Sequence, residues 1–283
     1  MKTLSIVSLH CILLSVGCIN VLFCSCVESV SYLRTVVDGS ASDSPTESPW
    51  NYGCIDGLNG PSHWGKLSPE WAICDQGKSQ SPIVIQTGAL ETSNQLAPLK
   101  LFPSGASLQT DTATATIQKN IFKLKIGGWS LLLDSIRYDL VQIHFHTPAE
   151  HRINGGIYAL EMQHEFISEV GDIAIIAIFY KYAKNSNPYI SQYFKYLPQL
   201  KNENVFTNIT VPVHLAQEDL YPYYLYKGSL ARPPCTEGVT WIIAQNVKLL
   251  SQAQVEALKS ITKGNSNRPA QPVNGRKVFV PAY

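Results

Sequence analysis

Between Leu140 and His146 polar and apolar side chains alternate. Gln142, His144 and His146 fall at every second position, with Ile143 and Phe145 between them. On a β-strand this puts an amide and two imidazoles on one face and the apolar pair on the other. Two imidazoles on one strand face can share a zinc ion, but a tight site needs a third protein ligand. Similar short runs, bounded by turn residues, predict strands over 81–86, 112–117, 122–126, 130–133, 140–146, 158–166, 173–182, 239–245 and 277–280. Gly127-Gly128 and Gly155-Gly156 lie between neighbouring runs, where tight turns are expected. Helical patterning is confined to 188–200 and 251–260, the second opening on Ser251 as a cap. The chain therefore reads as mainly β.

Composition agrees with that reading and narrows the function. Of 283 residues 45% are hydrophobic and 15% charged, with 17 Pro and 18 Gly to break the chain into short elements. Net charge is +1, without a basic run or an acidic tail, which argues against nucleic acid or a charged membrane surface as partner.

The first residues differ from the rest. Lys2 is the only charge before Glu28, and 4–23 is rich in Leu, Ile, Val, Ser and Cys. A secretory signal peptide is predicted over 1–26, with Cys24 and Cys26 around the cleavage point. An uncleaved anchor is the alternative, since about 20 apolar residues just span a bilayer; His10, Asn20 and several Ser dilute this run. Residues 27–49 read as a flexible mature N-terminus and 50–283 as one domain, with no second hydrophobic span. Four of the seven Cys fall in the signal segment, leaving Cys54, Cys74 and Cys235. A disulfide takes two of these and strands the third. Asn208-Ile209-Thr210 is an N-glycosylation sequon, meaningful only on the secretory route.

Several motifs occur in order: Asn59-Gly60-Pro61, His63-Trp64-Gly65, Gln80-Ser81-Pro82-Ile83, Gln142 to His146, Ala149-Glu150-His151, Gly228-Ser229-Leu230, Pro233-Pro234-Cys235, Val239-Thr240-Trp241 and Asn267-Arg268-Pro269. Together they resemble the α-class carbonic anhydrases, in particular secreted plant-type members, from about Trp50 to Val280. The resemblance implies a central, largely antiparallel ten-stranded twisted sheet with a few short peripheral helices. A conical cavity would reach a Zn²⁺ ion held by three neutral imidazoles. In such enzymes zinc lowers the pKa of bound water to about 7, and the hydroxide attacks CO₂ to give bicarbonate. The resemblance also implies a Cys74–Cys235 disulfide, which leaves Cys54 as the odd thiol.

Carried over position by position, the resemblance makes His144 and His146 the first two metal ligands, with Gln142 as the acceptor behind the first and Glu161 as a further supporting group. Glu150 and His151 match the family's Glu-His pair, whose Glu anchors a hydroxide-orienting Thr. Tyr52 matches a cavity Tyr, and Ile175, Leu230 and Trp241 match apolar positions of the CO₂ pocket.

Four positions depart from the pattern. The third ligand, thirteen residues after Glu150, is Gln163, whose neutral carbonyl oxygen is a poorer zinc ligand than imidazole. The adjacent His164 faces away from the cavity unless a β-bulge shifts the register. Ala231 stands where the Thr should be, followed by Arg232, a cation with Glu150 and Glu165 as candidate partners. Asn120 occupies the proton-shuttle position and does not titrate near neutrality. Glu165 replaces a Val of the CO₂ pocket.

Two main readings follow. One is a secreted carbonic-anhydrase-like protein with a degraded zinc site and little or no CO₂ hydration, like the yam-tuber storage proteins that carry Gln at the same position, serving in storage, defence or small-anion binding. The other is an active zinc lyase using Gln163 as an unusual ligand. Residual esterase-like hydrolysis is a third.

Overall fold

The computed structural model describes residues 50–53, 55–104, 111–202, 204–211 and 220–282. The expected signal peptide, the segment 27–49 and Cys54 lie outside the described residues. Among the described residues there are fifteen strands. The first seven are β1 (Val84–Ile85), β2 (Glu91–Ser93), β3 (Lys100–Pro103), β4 (Asp111–Gln118), β5 (Ile121–Lys125), β6 (Trp129–Leu133) and β7 (Ile136–His146). They continue with β8 (Arg152–Ile153), β9 (Leu160–Ser168), β10 (Ile173–Ala183), β11 (Phe206–Val211) and β12 (Tyr223–Ser229). The last are β13 (Glu237–Ala244), β14 (Lys248–Ser251) and β15 (Phe279–Pro281). Helices are short: α1 (Trp64–Leu67), α2 (Ile73–Gln76), α3 (Pro188–Phe194) and α4 (Gln252–Thr262).

The main sheet is largely antiparallel, as expected, with three parallel pairings that make it mixed. Ten strands form a continuous path, β11-β4-β5-β7-β9-β10-β13-β12-β15-β2, and three more attach to it. β10 runs parallel to both β13 and β14, and β15 parallel to β2. Several strands escaped the sequence pattern. In β12 Tyr223, Tyr224 and Tyr226 are all buried, so its two faces are not distinguished by polarity.

Local chemistry explains the turns and caps. Lys119 and Asn120 both have positive φ, 54° and 64°, and close the tight turn between β4 and β5. Gly128 and Gly155 take φ of 91° and 80°, which a side chain would resist. Ser251 caps α4 in a reciprocal box with Gln254, and Asn187 caps α3 ahead of Pro188.

The apolar material forms two layers and a small third cluster of Tyr52, Trp64, Ile121 and the Cys74 and Cys235 pair. The larger layer holds Ile143, Phe145, Met162, Phe166, Ile176, Ile242 and residues of α3 and α4. The smaller layer holds Ile175, Leu230, Ala231 and Trp241. Cys74 on α2 is disulfide-bonded to Cys235, 161 residues away, which ties α2 to the segment just after Arg232.

Candidate functional site

The site is built on β7 and β9, which pair antiparallel. Their register sets His144 opposite Gln163, His146 opposite Glu161 and Gln142 opposite Glu165. Alternation then sends all six side chains to one face, while Ile143 and His164 face each other on the other. The only register irregularity in this pair, between Leu140 and Gln142, precedes the site and leaves His164 in the core.

Gln163 lies at the centre of the polar face. Its Oε1 is 2.7 Å from His144 Nε2. Its Nε2 donates to Glu150 Oε2 at 2.9 Å and to Glu161 Oε1 at 2.8 Å. An amide has two N–H donors and an oxygen with two lone pairs; both donors and one lone pair are used here. The oxygen can only accept, so His144 holds its proton on Nε2, the nitrogen turned toward Gln163. His146 donates from Nδ1 to the Ser266 carbonyl, and its Nε2 lies 3.6 Å from Glu150 Oε2.

Burial sets the charge states. It holds His144 well below the ordinary imidazole value, helped by His146 and Arg232. It also lowers His146 to about 4, so both rings are neutral at pH 7. Burial, then repulsion from Glu161, pushes Glu150 up to about 8. Burial works upward on Glu161 too, but the charge and hydrogen bonds of His151 outweigh it and keep that carboxyl low. Glu161 accepts from the backbone N–H groups of Glu150 and His151, from His151 Nδ1 and from Gln163. His151 Nε2 in turn meets Tyr226 Oη at 2.7 Å.

The remaining positions show how the departures are accommodated. Ala231 offers Glu150 no hydroxyl, and Glu150 instead accepts the Arg268 backbone N–H at 2.9 Å. Arg232 Nη2 lies 3.1 and 3.0 Å from the two oxygens of Glu165, which pairs this cation with Glu165 and not Glu150. Gln142 was expected to stand behind His144 as an acceptor. It instead donates to Glu165 Oε2 at 2.7 Å, because Glu165 is its cross-strand neighbour. Asn120 Nδ2 donates to the Thr262 carbonyl. Tyr52 Oη donates to the Ala231 carbonyl, and its ring meets His146 edge-on at 5.5 Å. Ile175 lines the cavity, whereas Leu230 and Trp241 sit in the apolar layer beside it. What remains open is about 10 Å³, room for roughly one water.

Three contributors were not singled out from the sequence. Lys123 lines the cavity, and burial, then repulsion from Arg232, lowers its amine to about 8. Ser266 supplies the carbonyl for His146. Arg268, 1% exposed, donates to Gln80 Oε1 and to the Ser81 and Cys74 carbonyls, joining the disulfide segment to the Glu150 side. The Asn267-Arg268-Pro269 motif was the available signal for the last two.

A family model of the eukaryotic-type carbonic anhydrases matches residues 59–282. The chain is 32% identical to a carbonic anhydrase of Pectobacterium atrosepticum over 87% of its own length and 96% of that protein. It is 36% identical to dioscorin DB3L of Dioscorea polystachya, over 83% and 87%. A solved dioscorin complexed with ascorbate superposes with a TM-score of 0.72 at 32% identity, covering 82% of this chain and 97% of that one. The chain belongs to the α-carbonic anhydrase family. Its relatives include proteins named as carbonic anhydrases and dioscorins alike.

Carbonic anhydrases are zinc enzymes, and the donor set here does not fit that metal. A tight site needs three lone pairs converging on one point. In this cavity the His144 nitrogen facing Gln163 carries a proton, and the oxygen of Gln163 is committed to it. Both amide protons of Gln163 are held by carboxyl oxygens of Glu150 and Glu161, which fixes the orientation of the group. Among the described residues no three His, Cys, Asp or Glu side chains are disposed to hold a metal.

Proposed function

We propose that this chain is a secreted carbonic-anhydrase-like protein with little or no CO₂ hydration activity, which binds a small anion at the partly exposed Arg232. The observation that carries the first half is the carboxamide of Gln163, hydrogen-bonded to His144, Glu150 and Glu161 where a third imidazole would stand. Ala231 supports it, since losing one positioned group at a reacting centre costs on the order of 100–1,000-fold in rate. Arg232 supports the second half: a ligand carboxylate competes with Glu165 for the same guanidinium. A dioscorin of the same fold was solved with ascorbate, an anion at neutral pH. Residues 1–26 serve in this reading as the signal peptide, 27–49 as the mature N-terminus and 50–283 as the domain, with Asn208 as the glycan acceptor. Among the described residues no helix is long and apolar enough to cross a membrane.

The test joins metal analysis of purified protein to a CO₂ hydration assay. Substoichiometric zinc and hydration near the uncatalysed rate are expected, and the double variant Gln163→His with Ala231→Thr is expected to gain zinc and measurable hydration. Stoichiometric zinc with fast hydration in the unaltered protein overturns the proposal.

A further inference from the structure

The two ends of the main sheet are finished differently. At one end β2 has only three residues and carries Glu91, paired with Lys277 Nζ at 3.0 Å. A short, charged edge strand resists pairing with another chain. At the other end β11 has six residues, Phe206-Thr207-Asn208-Ile209-Thr210-Val211, without a charge or a proline. Among the described residues no strand pairs with its outer side. Ile209 and Val211 are buried, whereas Asn208 and Thr210 are exposed and Phe206 is 65% exposed. A β-prone, uncharged window on a sheet edge is the pattern that templates pairing with a second copy.

One modification site lies in the middle of this strand. The side chain of Asn208 is exposed, and its Oδ1 accepts from Thr114 Oγ1 at 3.2 Å on the neighbouring β4. That bond turns the amide oxygen toward the sheet and leaves Nδ2, the atom that a glycan joins, as the group to face outward. Thr210, the sequon's third residue, is exposed on the same face. Its carbonyl already accepts from Tyr196 Oη at 3.0 Å, so the strand is partly capped at its C-terminal end and least protected around Asn208.

We infer that a glycan on Asn208 guards this edge: it takes the place of the charge that protects β2, and without it β11 pairs with β11 of a second copy. The inference rests on the secretory reading above. A bulky hydrated group attached at the centre of a six-residue edge prevents another strand from approaching within the roughly 4.8 Å that a ladder requires.

The test uses the full chain secreted from a eukaryotic host, with intact mass and sedimentation measured together. Three proteins are compared: unaltered, Asn208→Gln and Asn208→Lys. The unaltered protein should carry glycan mass. Asn208→Gln should show a weight-average mass at least twofold higher at the same concentration, with unchanged circular dichroism. Asn208→Lys, equally without glycan, should return to the unaltered protein's state, because a lysine protects the edge by charge. If Asn208→Gln sediments like the protein part of the unaltered chain, or Asn208→Lys associates as strongly as Asn208→Gln, the edge-guard inference is overturned with the secretory reading intact. If the unaltered protein reaches the medium without glycan on Asn208, the inference fails at its first step. If the chain never enters the secretory route, the reading beneath it fails as well.

Discussion

On the cavity face of β7 and β9, Gln142, Glu161, Gln163 and Glu165 and the two imidazoles are joined by hydrogen bonds to one another, to Glu150, His151 and Arg232, and to the Ser266 carbonyl. On the core face of the same strands, His164 is fully buried, and neither of its ring nitrogens makes a well-formed hydrogen bond. The Ile176 carbonyl, across the ladder on β10, is the polar group that acts on it. One residue step separates Gln163 from His164, and the pleat turns that step into opposite environments. An imidazole one position earlier would complete a metal site; at 164 it is a buried polar group in an apolar layer. On a strand, chemistry depends on parity before it depends on residue type.

The largest expected effect comes from attacking the core face. Phe145 stacks on Phe122 with ring centroids 5.2 Å apart and also meets Tyr193 and Phe194. Phe145→Ala should cost about 3–5 kcal/mol by transfer and cavity terms. Gln163→Ala, on the cavity face, should cost less, about 1–3 kcal/mol, through the carboxylate and imidazole groups left unsatisfied. Urea unfolding of both variants checks the order. A larger loss for Gln163→Ala would mean that the polar network, and not the apolar layer, holds β7 to β9.

Acid should expose the core-face histidine. Burial lowers His164 to about 3, against roughly 6.5 in an unfolded chain. Between those values the unfolded chain binds a proton that the native one does not. This contribution to stability is therefore complete above about pH 6.5 and is lost as pH falls toward 3, at up to about 1.4 kcal/mol per pH unit. His146, lowered to about 4, acts in the same direction. His164→Leu should keep the fold at pH 7 and flatten the decline between pH 6 and 4 by about one proton's worth of slope. Identical slopes in the two proteins would assign the acid sensitivity to the cavity face alone.

Parity was readable in advance. Alternation in 140–146 placed His144 and His146 on one face because strand period is a local property; Gln163 came from the family resemblance, which sets the third ligand thirteen residues after Glu150. Two kinds of feature were not local. The parallel pairing of β10 with β13 and β14 joins positions as far apart as Ala174 and Thr240 or Tyr180 and Lys248, and no short window encodes it. The partner of Gln142 depends on which residue sits across the ladder: Glu165 captures an amide that was expected to serve His144. Short or evenly buried strands such as β2 and β12 lack the polarity contrast that pattern reading needs.

The smallest expected effect tests how strongly the cavity charges feel one another. Arg232 is 21% and Glu165 5% exposed at the side chain, so the pair is only partly shielded from solvent. Arg232→Thr should therefore change stability by no more than about 1 kcal/mol, with Gln142 still donating to Glu165. Lys123 is the better reporter. Burial lowers its amine to about 8, and Arg232 adds the next largest push in the same direction. Removing the guanidinium removes that repulsion but leaves the burial. The amine should then titrate higher, yet still below an ordinary lysine. NMR titration of the isotopically labelled lysine side chains would show the rise. An unmoved Lys123 would mean that Glu165 already neutralises Arg232 as seen from across the cavity, and an incoming anion would then find little net charge to bind.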